Sequence, residues 1–124
     1  MRKETSVNFE NEQRLLEKCN TVYTVSLIAG RWKPAILWQL IHRPHRYKEL
    51  KDSLPGITER MLTLSLKEME KDGLIAKKTI PGFPPQREYT LSDRGRSLEP
   101  MLRQMSDWGG ATKTGEDGSG LILR

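Results

Sequence analysis

A chain of 124 residues, 35% apolar and 30% charged, is sized for a single domain that buries its core without covalent staples. No apolar run approaches the roughly 18–20 residues of a membrane span, and the opening MRKETS lacks the apolar stretch of a signal peptide, so a cytoplasmic protein with no membrane role is expected. The single cysteine excludes an internal disulfide.

The formal charge is +5, and its placement says more than its size. Residues 1–30 carry four positive and four negative groups, whereas residues 31–60 carry seven positive and three negative. Residues 67–96 carry seven and five, residues 97–108 have one excess negative charge, and residues 109–124 balance. The positive excess therefore lies in the middle of the chain, which points to a polyanion as partner. Ordinary solubilising charge would account for the total but not for its position.

Residues 1–10 are polar and read as a flexible N-terminus. Asn11–Lys18 has helical composition with one greasy pair, Leu15 and Leu16. Asn20 or Thr21 can cap a second helix, with Val22, Val25, Ile28 and Ala29 at helical spacing and Gly30 as its end. Pro34 suits the first turn of a third helix, whose stripe is Ile36, Leu37, Leu40 and Ile41 and which Pro44 closes. Arg46–Lys48 reads as a short strand or as the lead into a helix over Glu49–Leu54. Thr58 then caps a helix on which Leu62, Leu66 and Met69 recur at i, i+4 and i+7, ending at Gly73.

Leu74–Ile80 and Gln86–Leu91 are strand candidates joined by PGFPP, too rich in proline to pair as sheet. Ser92 or Asp93 caps a last helix, with Leu98, Met101, Leu102, Met105 and Trp108 on one face. Residues 109–124 hold five of the ten glycines and read as a flexible tail, leaving residues 11–108 as the folded domain. Helices followed by a basic hairpin make the fold mainly α with a small β-hairpin wing, a winged helix-turn-helix.

On a helical wheel centred on Leu62, Leu66 and Met69 lie within about 40°, while Arg60, Thr63, Leu64 and Lys67 fall between roughly 100° and 200°. This second side suits entry into a major groove of double-stranded DNA. Arg60 can bond guanine edges bidentately, Thr63 can meet a thymine methyl or a phosphate, and Lys67 can meet a phosphate. Leu64 is either a thymine contact or minor packing. Thr58 and Glu59 stand near the groove floor, Thr58 first of all as the cap. In the wing, Lys77, Lys78 and Arg87 can lie along the minor groove or its phosphates, and Lys48 and Arg46 are further phosphate candidates. Arg46 can equally hold the sheet edge.

The last helix carries five large apolar residues, and Leu15 and Leu16 add a patch. Left in solvent this area would be unusual for a monomer, so Leu15, Leu16, Leu98, Met101, Leu102, Met105 and Trp108 are the candidate interface of a homodimer. The alternative is that the stripe closes the monomer core. A dimer would set two recognition helices about one DNA turn, ~34 Å, apart.

The enzyme reading has little support. His42 and His45 are separated by Pro44 at a helix end and read as loop histidines, or His45 as a phosphate neighbour. No phosphate cradle, nucleophile elbow, metal set or cofactor motif is present, so no cofactor and no metal are expected. A winged helix used only for protein contacts would carry apolar or aromatic anchors where Arg60 and Lys67 stand. A small aromatic inducer near Trp32, Trp38 and Tyr23 is a variant of the DNA reading, although these aromatics look like core.

The chain resembles the HxlR family of bacterial transcription regulators, a branch of the MarR-like winged-helix proteins. The resemblance runs from Cys19 to about Trp108. It is carried by Cys19 thirteen residues before Trp32 in LIAGRW, then RYKELKDSLPGIT, RMLTLSLKEMEKDGLI, PPQREYTLSDRGRSL and a closing DWG. It implies a homodimer built from the N- and C-terminal helices, acting on inverted-repeat operators. Lys77 and Lys78 stand where the family often has an arginine, and Gln86-Arg87 where it often has a charged residue and valine. Cys19 lies ahead of a helix N-terminus and beside Lys18, both of which favour thiolate. The resemblance makes it the candidate sensor of oxidants or thiol-reactive compounds; the alternative is an inert thiol at the dimer seam.

Overall fold

The computed structural model describes residues 3–113. In chain order the elements are α1 (Lys3–Lys18), α2 (Asn20–Ile28), α3 (Lys33–His42), β1 (His45–Arg46), α4 (Tyr47–Ser53), α5 (Glu59–Lys71), β2 (Ile75–Ile80), β3 (Gln86–Leu91), α6 (Asp93–Arg96) and α7 (Glu99–Thr112). The mainly helical, winged helix-turn-helix architecture expected from the sequence is what the chain adopts.

The core follows from the two apolar stripes. Ile36, Leu37, Leu40 and Ile41 of α3 face Leu62, Leu66 and Met69 of α5, and all seven are buried. Leu50, Leu74, Tyr89 and Leu102 close the space around them. The start of α5 is fixed by Thr58, whose Oγ1 accepts the Met61 N–H at 3.1 Å and so satisfies one of the free donors of the first turn. Its end is fixed by Gly73 at φ +77°, a conformation that costs glycine nothing. There the Gly73 N–H bonds the Glu70 carbonyl and the Leu74 N–H bonds the Met69 carbonyl, a Schellman ending.

The wing hairpin pairs Ile75 with Leu91 through to Ile80 with Gln86. A third strand joins it: β1 lies antiparallel on the other edge of β3, giving the order β1-β3-β2. The extended backbone after Pro44 makes this pairing possible and turns the His45 ring inward. His45 is 4% exposed and donates from Nδ1 to the Arg43 carbonyl at 2.8 Å. It is therefore a core residue and neither a loop histidine nor a phosphate neighbour.

Several boundaries differ from the sequence reading, among them the start of α4, which lies at Tyr47 rather than Glu49. Residues 3–10, expected to be frayed, continue α1 as helix. The residue at the N-cap of α2 is Cys19 rather than Asn20 or Thr21, and no side chain caps that helix. The expected last helix is two: Ser92 Oγ accepts the Gly95 N–H at 3.0 Å to start α6, and α7 starts afresh at Glu99. Pro100 explains the restart, because it has no N–H to offer the Arg96 carbonyl. Finally, α7 runs past Gly109 and Gly110 to Thr112, each glycine costing about 1 kcal/mol that one added turn tolerates. The remainder of the expected tail, residues 114–124, lies outside the described residues. No helix among the described residues is long and apolar enough to cross a membrane.

Candidate nucleic-acid interface

The outer face of α5 carries the residues that the wheel assigns to it. Glu59, Arg60, Leu64 and Lys67 are exposed, Thr63 is half-buried, and together they line one shallow groove. Leu64 is 54% exposed, so it is not packing against the core. The Thr58 hydroxyl is committed to its cap.

A cleft of about 500 Å³ adjoins this groove, between the start of α4, the middle of α5 and the wing. Arg46 and Lys48 enter it from one side and Arg87 from the other, while Thr63 lines both cleft and groove. Three cations from two segments distant in sequence, Arg46 and Lys48 on one side and Arg87 on the other, thus converge on one opening beside the α5 face. The Arg46 guanidinium donates to Gln86 Oε1 at 2.8 Å, which ties α4 to the wing, so Arg46 does hold the sheet edge. The Arg46 backbone N–H donates to Glu49 Oε1 at 2.8 Å. That bond is the main reason the Glu49 carboxyl is held below its ordinary range, with the Arg43 guanidinium assisting.

The wing lysines are placed differently from Arg87. Neighbouring strand residues point to opposite faces, so Lys77 and Lys78 cannot line the same groove. Lys77 stands 4.0 Å from Glu70 and Lys78 stands 3.5 Å from Glu88, whereas no ion pair among the described residues involves Arg87. Phe83, at the tip of the PGFPP loop, is fully exposed. Sequence reasoning missed Gln86 and Tyr47 as lining of this cleft. Tyr47, a polar-tipped aromatic set between Arg46 and Lys48, was the available signal.

The candidate dimer residues divide into two groups. Leu102 is buried in the monomer core at 4% exposure, and Leu98 and Met101 pack against that core, so Leu102 is corrected from an interface residue to a core residue. Leu15, Met105 and Trp108 are exposed at 56%, 48% and 72%, and Leu16 is half-buried. An apolar groove of about 260 Å³ runs between α2 and α7, with Val25 and Met105 on its walls. Cys19 is a free, half-buried thiol whose N–H bonds the Leu15 carbonyl at 2.8 Å. Trp32 and Trp38 pack against the core, as expected, but Tyr23 is 42% exposed and its hydroxyl accepts from Arg94. Among the described residues no group of three or more His, Cys, Asp or Glu side chains is placed to hold a metal.

The sequence model of the HxlR-like helix-turn-helix family matches residues 27–117. The HTH-type transcriptional regulator YdzF of Bacillus subtilis (strain 168) is 49% identical over 88 residues, spanning 70% of this chain and 81% of that protein. Among solved structures, the redox regulator HypR in its oxidized form superposes with a TM-score of 0.72 at 38% identity, covering 77% of this chain and 98% of HypR. The reduced form of the transcriptional regulator YodB from B. subtilis superposes with a TM-score of 0.67 at 29% identity, covering 82% and 98%. The chain belongs to the HxlR-like helix-turn-helix family and is a DNA-binding transcriptional regulator of the HxlR/MarR type, not an enzyme.

Proposed function

We propose that the protein is a homodimer that binds a pseudo-palindromic operator through α5 and the wing, and that chemistry at Cys19 controls its release. The observation that supports operator binding most is the meeting of two surfaces at Thr63: the polar face of α5 and the cleft into which Arg46, Lys48 and Arg87 converge. In this reading Arg60 and Leu64 touch base edges, with Thr58 and Glu59 at the entrance, and Lys67 reaches a phosphate. Arg46, Lys48 and Arg87 hold the backbone, and Lys77 and Lys78 add to the positive field.

The dimer reading is supported by the exposure of Leu15, Met105 and Trp108 on α1 and α7, too large and apolar a set for a solvent-facing surface. Control at Cys19 is supported by its place at the head of α2 and by the likeness to HypR, a redox regulator. A sole thiol can respond by an intersubunit disulfide, a mixed disulfide with a small thiol, or a covalent adduct. A non-covalent inducer would need another place than the tryptophans, which are packed against the core; the groove between α2 and α7 is the opening that favours this second reading.

Footprinting on DNA flanking the protein's own gene, with and without diamide or a quinone, tests the proposal. Two protected half-sites that disappear on treatment are expected for the wild type, and protection that persists is expected for Cys19→Ser. A protein with no protected site and no salt dependence overturns the operator reading. A Cys19→Ser variant that releases DNA normally overturns the thiol reading alone.

A further inference from the structure

The Tyr47 hydroxyl bridges α4 and the recognition face of α5. It stands 3.2 Å from the Glu59 carbonyl oxygen and 3.0 Å from Thr63 Oγ1. A phenol has one proton, and a carbonyl can only accept. Both contacts are hydrogen bonds at once in a single arrangement: Tyr47 donates to the Glu59 carbonyl, and Thr63 donates to the Tyr47 oxygen. The Thr63 proton then points inward. Outward, where Thr63 lines both groove and cleft, its hydroxyl offers only lone pairs.

That polarity matters because base edges differ in sign. In the major groove adenine N6 and cytosine N4 present donors, whereas guanine O6 and N7 and thymine O4 are acceptors. Phosphate oxygens are acceptors too. A hydroxyl able only to accept can bond an exocyclic amino group and is left unpaired against the others.

We propose that Thr63 is a specificity-determining residue that takes the exocyclic amino group of adenine or cytosine at one position of each half-site, with Tyr47 as the positioning residue that makes Thr63 an acceptor. This rests on the operator reading above. It replaces a phosphate or thymine-methyl role for Thr63 with a base-edge role of defined sign.

The test is selection of binding sites by the full-length protein from DNA with randomised positions, followed by titration of single-base variants. Wild type and Thr63→Ser are expected to prefer adenine or cytosine at one position per half-site by about three- to tenfold, the worth of one hydrogen bond. Thr63→Val should lose that preference there and keep it elsewhere. Tyr47→Phe releases the Thr63 proton, so guanine or thymine should become acceptable at the same position while the salt dependence of binding stays unchanged, a pattern that mere loosening of α4 would not give. An unchanged preference in Thr63→Val overturns the proposal, as does an unchanged preference in a folded Tyr47→Phe; if Tyr47→Phe does not fold, Thr63→Val decides. A wild type that selects no sequence at all overturns the operator reading itself, which separates the two failures.

Discussion

Arg94 on α6 donates to the Tyr23 hydroxyl on α2 at 2.6 Å, across 71 positions of sequence. The same guanidinium donates to the Asp72 carbonyl, at the residue that closes α5. One side chain thus ties the end of α5 to the helix that begins after Cys19. Arg94→Ala should lower stability by about 1 kcal/mol, since both bonds are solvent-facing, with Tyr23→Phe costing less in that background than in the wild type. Urea denaturation of the four proteins of this cycle measures the coupling. Costs that simply add would mean the two residues do not act together.

The helices and wing were legible because each announces itself locally: Thr58 and Gly73 mark the ends of α5, and the stripe Leu62, Leu66, Met69 marks its inner side. What escaped was tertiary. Arg46–Lys48 reads equally as a short strand or as the lead into a helix, because two residues carry no periodicity; the free edge that β3 offers is what makes His45–Arg46 a strand. Leu102 and Trp108 lie on the same helix within two turns, yet one is core and the other exposed, since the body of the protein reaches only part of α7. Position 95 shows the same limit. A Cβ on Gly95 would overlap the Leu74 carbonyl oxygen, a close approach that nothing in DRGRS foretells.

Glu49 gives the stability a pH dependence of known sign. Its folded-state value is depressed from the ordinary 4.5, first by the Arg46 N–H and then by Arg43. A depressed carboxyl contributes stability that is fully present above its unfolded value and is lost as pH falls through its folded value. Glu49→Gln keeps an acceptor for the Arg46 N–H but no charge. Thermal midpoints of the two proteins should differ at neutral pH and converge as pH falls below 4.5. A difference that grew towards acid would show that the charge of Glu49 is not what matters.

If α5 and the wing bind DNA as proposed, the pairing of the wing cations ranks their contributions. Lys78 already faces Glu88 at 3.5 Å, while Arg87 has no ion-pair partner among the described residues and opens on the cleft. Each phosphate contact removed should lower the slope of log affinity against log salt by about 1. Arg87→Gln is therefore expected to reduce that slope by nearly the full step, and Lys78→Gln by much less. Titrations of an operator duplex across a salt series measure both. Equal slopes for the two variants would place Lys78 on the DNA as firmly as Arg87.

The split of the α7 stripe predicts two unlike phenotypes from neighbouring residues. Leu102 fills core space at 4% exposure, so Leu102→Ala should cost about 2–5 kcal/mol of folding stability. Trp108 is 72% exposed, so Trp108→Ser should leave each subunit's core intact. If two chains meet through α1 and α7, its loss removes a large aromatic anchor, the kind of residue that dominates association energies. Sedimentation at micromolar concentration should then show Trp108→Ser shifted towards monomer. Because a palindromic site needs two recognition helices held together, that variant should also bind the operator less tightly, while affinity for a single half-site is unchanged. A Trp108→Ser protein that remained dimeric with full operator affinity would move the interface away from this end of α7, leaving Leu15 and the groove between α2 and α7 to carry it.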